Sequence, residues 1–393
     1  MKRPFLTKSK AESASGTKMK VVVTCCLCVL IPSFVFAAGP QYSGIFDSTL
    51  HLAEGGGEAQ YGLEEYANLR LKWNAGDYGS VYAAFNVLAA SGIDALRIPQ
   101  TLLGVSAANG NYAASIELER LYFHLLHDKF AIDGGLMRLA FGYGNAFSPM
   151  DFFNQKNPLK PDARLRAVLG GDIIYYPTDM SSLKLFAAAP RAQQSTTLQD
   201  MFTGISGEAH TGLFSVQGIY FWQPKEDDHV GYHYGGVSLK ADLALGIVLD
   251  TLYSYTGNDT RGVEGFSLSF GFDYTFSVFD RTLSMLAEYL FNGQQSATAF
   301  NAEYNTTGLH HHHFIFASFQ YALSDLSALS AAALCCIDDG SIQPMLSFDH
   351  DIFQGAHILL QMGIPLDTNG SSGELGPAAG SRFWATLKWT LRL

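Results

Sequence analysis

A closed antiparallel β-barrel spanning a membrane is the fold this sequence predicts, and three observations predict it. The first is alternation. From Phe266 to Phe276 one face carries Phe266, Leu268, Phe270, Phe272, Tyr274 and Phe276, and the other Ser267, Ser269, Gly271, Asp273 and Thr275. Strand side chains point to opposite faces with period two, so this segment has one face for lipid and one for water. The second is composition. Only 16% of the 393 residues are charged, against about a quarter in soluble domains. The mean hydropathy of +0.08 is too low for a stack of membrane helices. The third is the spacing of connections, which alternate short and long as they do between the two rims of an outer-membrane barrel.

The predicted strands run in order at 42–53, 61–74, 79–90, 112–126, 130–142, 171–177, 181–190, 202–210, 213–222, 230–242, 245–256, 262–277, 281–292, 310–323, 327–337, 341–350, 356–366 and 381–393. Eighteen strands result, with sixteen as the alternative, because the stretch 171–210 alternates least clearly. Leu69, Leu71 and Trp73 alternate with Asn68, Arg70 and Lys72 early in the chain. Near its end Phe383, Ala385, Leu387, Trp389, Leu391 and Leu393 alternate with Trp384, Thr386, Lys388, Thr390 and Arg392. A single amphipathic strand would fit a soluble sandwich equally well; a long series rich in aromatics fits the barrel.

Short connections include 74–79, 127–129, 277–280 and 324–326; on the other side, after the connection between the first two strands, come 91–111 and, third, 143–170, and further long ones include 191–201, 293–309 and 367–380. If the first strand runs outward, every short turn lies on the periplasmic side, with both termini, and every long loop lies outside. The third long loop, 143–170, holds Phe147, Met150, Phe152, Phe153, Leu159 and Leu165 beside Lys156, Lys160, Arg164 and Arg166. Loops of this length are usually functional, and its apolar content predicts that it folds into the barrel lumen.

Residues 1–37 read as a cleaved signal peptide: Lys18 and Lys20 precede the apolar run 21–36, and Ala37 closes a cleavage site, with Ala38 as the alternative. Met1 and Met19 are both candidate starts. Removing residues 1–37 takes six Lys/Arg and Glu12 from 25 basic and 36 acidic residues, which leaves 19 and 35, a net charge of −16. Such a surface argues against nucleic acid as a partner, since phosphate binding needs concentrated basic charge. The remaining 38–393 form one barrel domain. Only Cys335 and Cys336 survive cleavage, and as strand neighbours they point to opposite faces, a poor geometry for a disulfide.

The stretch 135–151, with Arg138, Gly142, Gly144, Pro149 and Asp151, followed by Pro158, Arg164, Asp172-Ile-Ile-Tyr-Tyr and Leu183-Lys-Leu-Phe, resembles a segment of alginate-export-type outer-membrane porins and their uncharacterised relatives. The specific match spans residues 135–186, roughly fifty residues. The resemblance implies an eighteen-stranded pore narrowed by its third loop, in a bacterial outer membrane, inserted there by the barrel-assembly machinery. One departure is the C-terminal Leu393, where such barrels typically end in Phe.

His310-His-His-His313 has metal-binding side chains, but successive residues at a strand start face opposite ways and no Cys or carboxylate lies beside them in sequence. An interfacial rim is the expected role, and no metal site or cofactor is expected. Asp349-His350-Asp351 lacks the nucleophile and oxyanion site a hydrolase needs and reads as a polar turn, so no catalytic residue is expected. The lumen-facing charges by alternation are Arg70, Lys72 and Lys388 on one side and Asp250, Asp273 and Glu288 about half a circumference away. Opposed charges across a wet constriction set up a transverse field that sorts solutes. The pore constriction is expected at Arg138, Asp151, Lys156, Lys160, Arg164 and Arg166. A porin passing small hydrophilic solutes is the expected function, and a surface adhesin or ligand-binding barrel with an occluded pore is the alternative.

Overall fold

The computed structural model describes residues 39–55, 58–97, 104–154, 156, 158–159, 167–189, 201–224, 231–256, 265–293, 309–366, 373–375 and 383–393. The predicted leader, Lys160, Arg164 and Arg166 lie outside these residues. Nineteen strands form one antiparallel sheet. They are β1 (Gln41–Gly55), β2 (Glu58–Asn74), β3 (Gly79–Gly92), β4 (Gly104–Asn109), β5 (Tyr112–His127), β6 (Phe130–Met137), β7 (Val168–Thr178), β8 (Ser181–Ala188), β9 (Phe202–Thr211) and β10 (Phe214–Gln223). The rest are β11 (Tyr232–Asp242), β12 (Gly246–Thr256), β13 (Phe266–Val278), β14 (Arg281–Asn292), β15 (His313–Ala322), β16 (Ser327–Cys336), β17 (Ile342–Phe353), β18 (Ala356–Gly363) and β19 (Phe383–Arg392). Among the described residues no helix is long and apolar enough to cross a membrane.

The sheet closes on itself. β1 pairs with β19 from Ile45↔Arg392 to Glu54↔Phe383, and Gly44 and Leu393 exchange two backbone hydrogen bonds of 3.1 and 2.9 Å. Closure leaves the membrane-spanning wall no unpaired edge, as lipid requires. Eighteen strands make the wall, and β4 is an addition inside the stretch expected to be a plain loop. Residues 112–117 of β5 pair with β3 on one edge and with β4 on the other, while β6 pairs only with the later half of β5. β4 therefore occupies the ring position that β6 leaves vacant. Its sequence, Gly-Val-Ser-Ala-Ala-Asn, has no apolar face to announce a strand.

The faces follow the alternation. On β13, Ser267 and Ser269 are buried at 4% and 1% exposure while Phe270 and Tyr274 stand out at 47% and 40%. Leu69, Ile173, Val237, Ile315, Leu387 and Trp389 are likewise exposed on the outer surface. In water such a surface would cost about 25 cal/mol for each Å²; in lipid it costs nothing. Short turns are built for tight reversal: Phe279 and Asp280 both take positive φ, +50° and +58°, the type I′ pattern that matches strand twist.

The strand expected at 130–142 ends at Met137. Period two continues in the sequence to Gly142, with Leu139 and Phe141 on the same inward parity as Ala131 and Met137, but the backbone leaves the wall after Met137 and carries both into the lumen, where they are 1% and 3% exposed.

Candidate functional site

From Arg138 onward the chain crosses the barrel interior and docks on the far wall. Two glycines allow the approach. Gly142 has φ +82°, and a Cβ there would lie 2.5 Å from an Asp250 carboxylate oxygen. A Cβ on Gly144 would fall 1.8 Å from the Phe147 carbonyl oxygen. Bare backbone can therefore be gripped directly by the wall.

The grip comes from two carboxylates. Asp250 on β12 accepts the Gly144 amide at 3.1 Å and the Ser148 hydroxyl at 2.7 Å on one oxygen; its other oxygen accepts the Tyr143 amide at 3.2 Å and the hydroxyl of Ser238 on β11. Glu288 on β14 accepts the amides of Asn145, Ala146 and Phe147 at 2.8, 2.9 and 2.8 Å. Three successive amides aimed at one carboxylate make an anion nest. Bonds to a charged acceptor are worth about twice neutral ones, which suits two groups only 0% and 2% exposed. Gln217 accepts the Gly142 amide at 2.6 Å, and the Tyr143 hydroxyl donates to Glu208 at 2.6 Å.

Apolar packing completes the docking. Phe152 and Phe153 are buried among Phe186, Phe202, Phe221, Tyr234 and Leu252, with Phe152 at ring-centroid distances of 4.9 Å from Tyr234 and 5.2 Å from Phe221. Phe147 packs separately against Leu290, Phe314, Phe316 and Leu334. Asp151 is 5% exposed. Burial pushes its carboxyl up to about 8, against the opposing pull of Lys156 and of hydrogen bonds from the Phe141 and Asn154 backbone. The Lys156 ammonium donates to the Gly144 carbonyl.

The facing wall, from β2 to β5, is polar. Tyr66 and Asn68 donate to Asn86 at 2.8 and 2.6 Å, Asn86 donates to Glu117 at 2.7 Å, and Asn68 also donates to Glu119. Arg138 donates to Glu119 from where the chain turns inward, and Arg120 lies 3.2 Å from the same carboxylate. Both Glu119 and Arg120 face the lumen because the β3–β5 register shifts between Ala84 and Phe85, leaving Glu119 as an extra residue, the effect of a β-bulge. Arg120 also donates to the Tyr82 hydroxyl at 2.9 Å and lies 4.6 Å from its ring centre. Burial weighs most against the charge of Arg138, then the neighbouring Arg120 and, further off, Arg70, with Glu119 offsetting part of it. Arg70 donates to Asn68.

The structure thus brings Arg70 and Arg138 together and places Asp250 and Glu288 beneath the inserted segment. Lys388 sits apart, 3.4 Å from Asp47, Lys72 is exposed on β2, and Asp273 approaches Gly246 on β12. Glu117, Glu119, Arg120, Asn68, Asn86 and Gln217 were not singled out from sequence. The run Glu117-Leu-Glu-Arg120 was the visible signal, but strict alternation puts Arg120 on the lipid face, and only the bulge turns it inward.

No protein-family model matches this chain, and no curated protein matches it. Solved structures do. A BenF-like porin from Pseudomonas fluorescens Pf-5 aligns at TM-score 0.58 and 12% identity over 91% of this chain and 99% of that one. OccK2 (OpdF) of Pseudomonas aeruginosa, solved in complex with glucuronate, aligns at TM-score 0.55 and 10% identity over 90% and 98%. Wzi of Escherichia coli, a carbohydrate-binding outer-membrane barrel involved in group 1 capsule assembly, aligns at TM-score 0.57 and 10% identity over 97% and 90%. At these identities the likeness is one of fold. This chain is an eighteen-stranded β-barrel of the bacterial outer-membrane porin type, its lumen entered by its own third long loop.

Proposed function

We propose that the barrel is a passive channel for small hydrophilic solutes, with anions favoured, and that no covalent chemistry takes place in it. The observation that supports this reading is the asymmetry of the lumen: one side is filled by residues 139–154 docked on Asp250 and Glu288, and the other keeps a polar wall with Arg70, Arg120 and Arg138. Eighteen strands enclose an aqueous channel when unfilled, so the docked segment narrows it to the strip beside that wall. Arg138 and Lys156 line the strip in this reading, while Asp151 supports the loop from within. Lys72, near the end of β2, extends the basic side toward the short-turn rim, and Lys388 is balanced by Asp47. The resemblance of residues 135–186 to alginate-export-type porins and the glucuronate bound by OccK2 both favour carboxylated sugars among the solutes.

The purified barrel in a planar bilayer tests this. Stepwise conductance with a preference for anions is expected, and Arg120→Gln with Arg138→Gln should shift the permeability ratio toward cations. Steps with cation preference would remove the role of the arginines. No steps at all would leave the second reading, a ligand-binding barrel with an occluded pore, which the dense aromatic filling around Phe152 and the fold shared with Wzi support.

A further inference from the structure

The histidine run at 310–313 has no cysteine or carboxylate beside it in sequence, but the fold supplies both. β15 and β16 pair with Phe314 opposite Cys336, so the residues entering β15 lie against those leaving β16. An imidazole nitrogen of His311, the sulfur of Cys336 and a carboxylate oxygen of Asp338 all fall within 4.8 Å of one another. Cys336 is 1% exposed, packed with Phe314, Leu309, Leu334 and Leu375, and forms a fixed floor. His311 and Asp338 stand above it toward solvent.

The surrounding contacts hold the backbones of three connections in place. Glu374 accepts the His310 and His311 amides, the latter at 2.8 Å. One oxygen of Asp338 accepts the His312 and His313 amides at 2.7 and 2.8 Å. Asp339 accepts the Glu374 amide at 2.6 Å and lies 3.3 Å from His311 Nε2. The neighbouring imidazoles are engaged elsewhere: His313 is 2.7 Å from the Tyr289 hydroxyl, and His312 stacks on Phe291.

We propose that His311, Cys336 and Asp338 form a binding site for a borderline-soft divalent transition metal, Zn²⁺ above all, at the loop-bearing mouth of the barrel. A thiolate, an imidazole and a carboxylate are the donor types Zn²⁺ takes in tetrahedral sites, whereas Ca²⁺ and Mg²⁺ call for oxygen alone. Tetrahedral Zn²⁺ ligands stand roughly 3.3–3.6 Å apart given its bond lengths, so closure needs a movement of about 1 Å by the two outer side chains. Asp339, against His311, orients the imidazole in the manner of an outer-shell carboxylate. Binding releases the thiol proton and fastens the β14–β15 connection to the β16–β17 connection above the cluster that holds Phe147.

Co²⁺ added to the folded, reduced barrel in detergent tests the site, because a cobalt–thiolate bond has its own charge-transfer absorption. One Co²⁺ per chain with that absorption, bleached by Zn²⁺, is expected. Cys336→Ser should abolish the absorption, and His311→Gln or Asp338→Asn should weaken binding by at least about 10–100-fold, the loss that even an outer partner causes. Cys335→Ser and His310→Ala should leave it unchanged. If Cys336→Ser does not fold, the two outer variants still decide. Absence of the thiolate absorption overturns the proposal, as does binding that survives Cys336→Ser or the outer variants and is lost only when His310 and His312 are replaced.

Discussion

Asp151 carries a consequence for pH. It lies between the docked Phe147 and Phe152, and burial holds its carboxyl protonated up to about 8 against an ordinary value of 3.8. A carboxyl that binds its proton more tightly in the docked state stabilises that state fully below about pH 4, and the contribution is lost as pH rises through 8. Loop docking should therefore weaken between about pH 4 and 8. Protease cleavage within 139–159 and low-frequency current noise should both increase over that range. Asp151→Asn, which cannot ionise, should flatten the response; an unchanged pH dependence in that variant would assign the effect to another group.

At the scale of the element, the strands were legible in the sequence because lipid and water impose period two on every one of them. β13 reads directly as Phe, Leu, Phe, Phe, Tyr outward and Ser, Ser, Gly, Asp inward, and its burial follows that reading. Phe270→Arg should cut assembly of the barrel, because a cation on the lipid face at mid-membrane costs about 2–4 kcal/mol, measured by the heat-resistant fraction on gels. Ser269→Arg points inward, yet Ser269 is 1% exposed and pairs across from Asp250. The barrel should assemble with the loop loosened at its Asp250 anchor but still held by the aromatic cluster, seen as faster proteolysis at 139–159. Equal damage from the two substitutions would mean the register is wrong. Three features escaped the period: β6 ends at Met137 although the alternation runs on, β4 is unpatterned, and the bulge at Glu119 breaks the alternation. Inward folding of the third loop was legible in its aromatic content. The anchors were not, because Asp250 and Glu288 look like any other lumen charges until the backbone they grip is in place.

For the whole molecule, the proposed channel turns on how much of the closed barrel's interior the third loop leaves open. The docked segment is held by two independent means, the carboxylates of β12 and β14 and the aromatic cluster between β8 and β12, so no single substitution should clear it. Replacing residues 141–153 with a short Gly-Ser linker removes both without touching the wall, whose strands close through β1 and β19. Single-channel conductance of that variant should rise severalfold over the parent, and the anion preference should fall as solutes pass farther from Arg120. If the parent is silent and the variant conducts, the loop is a plug and the ligand-binding reading stands. If both conduct equally, the loop does not limit flow, and the constriction lies with the other long connections.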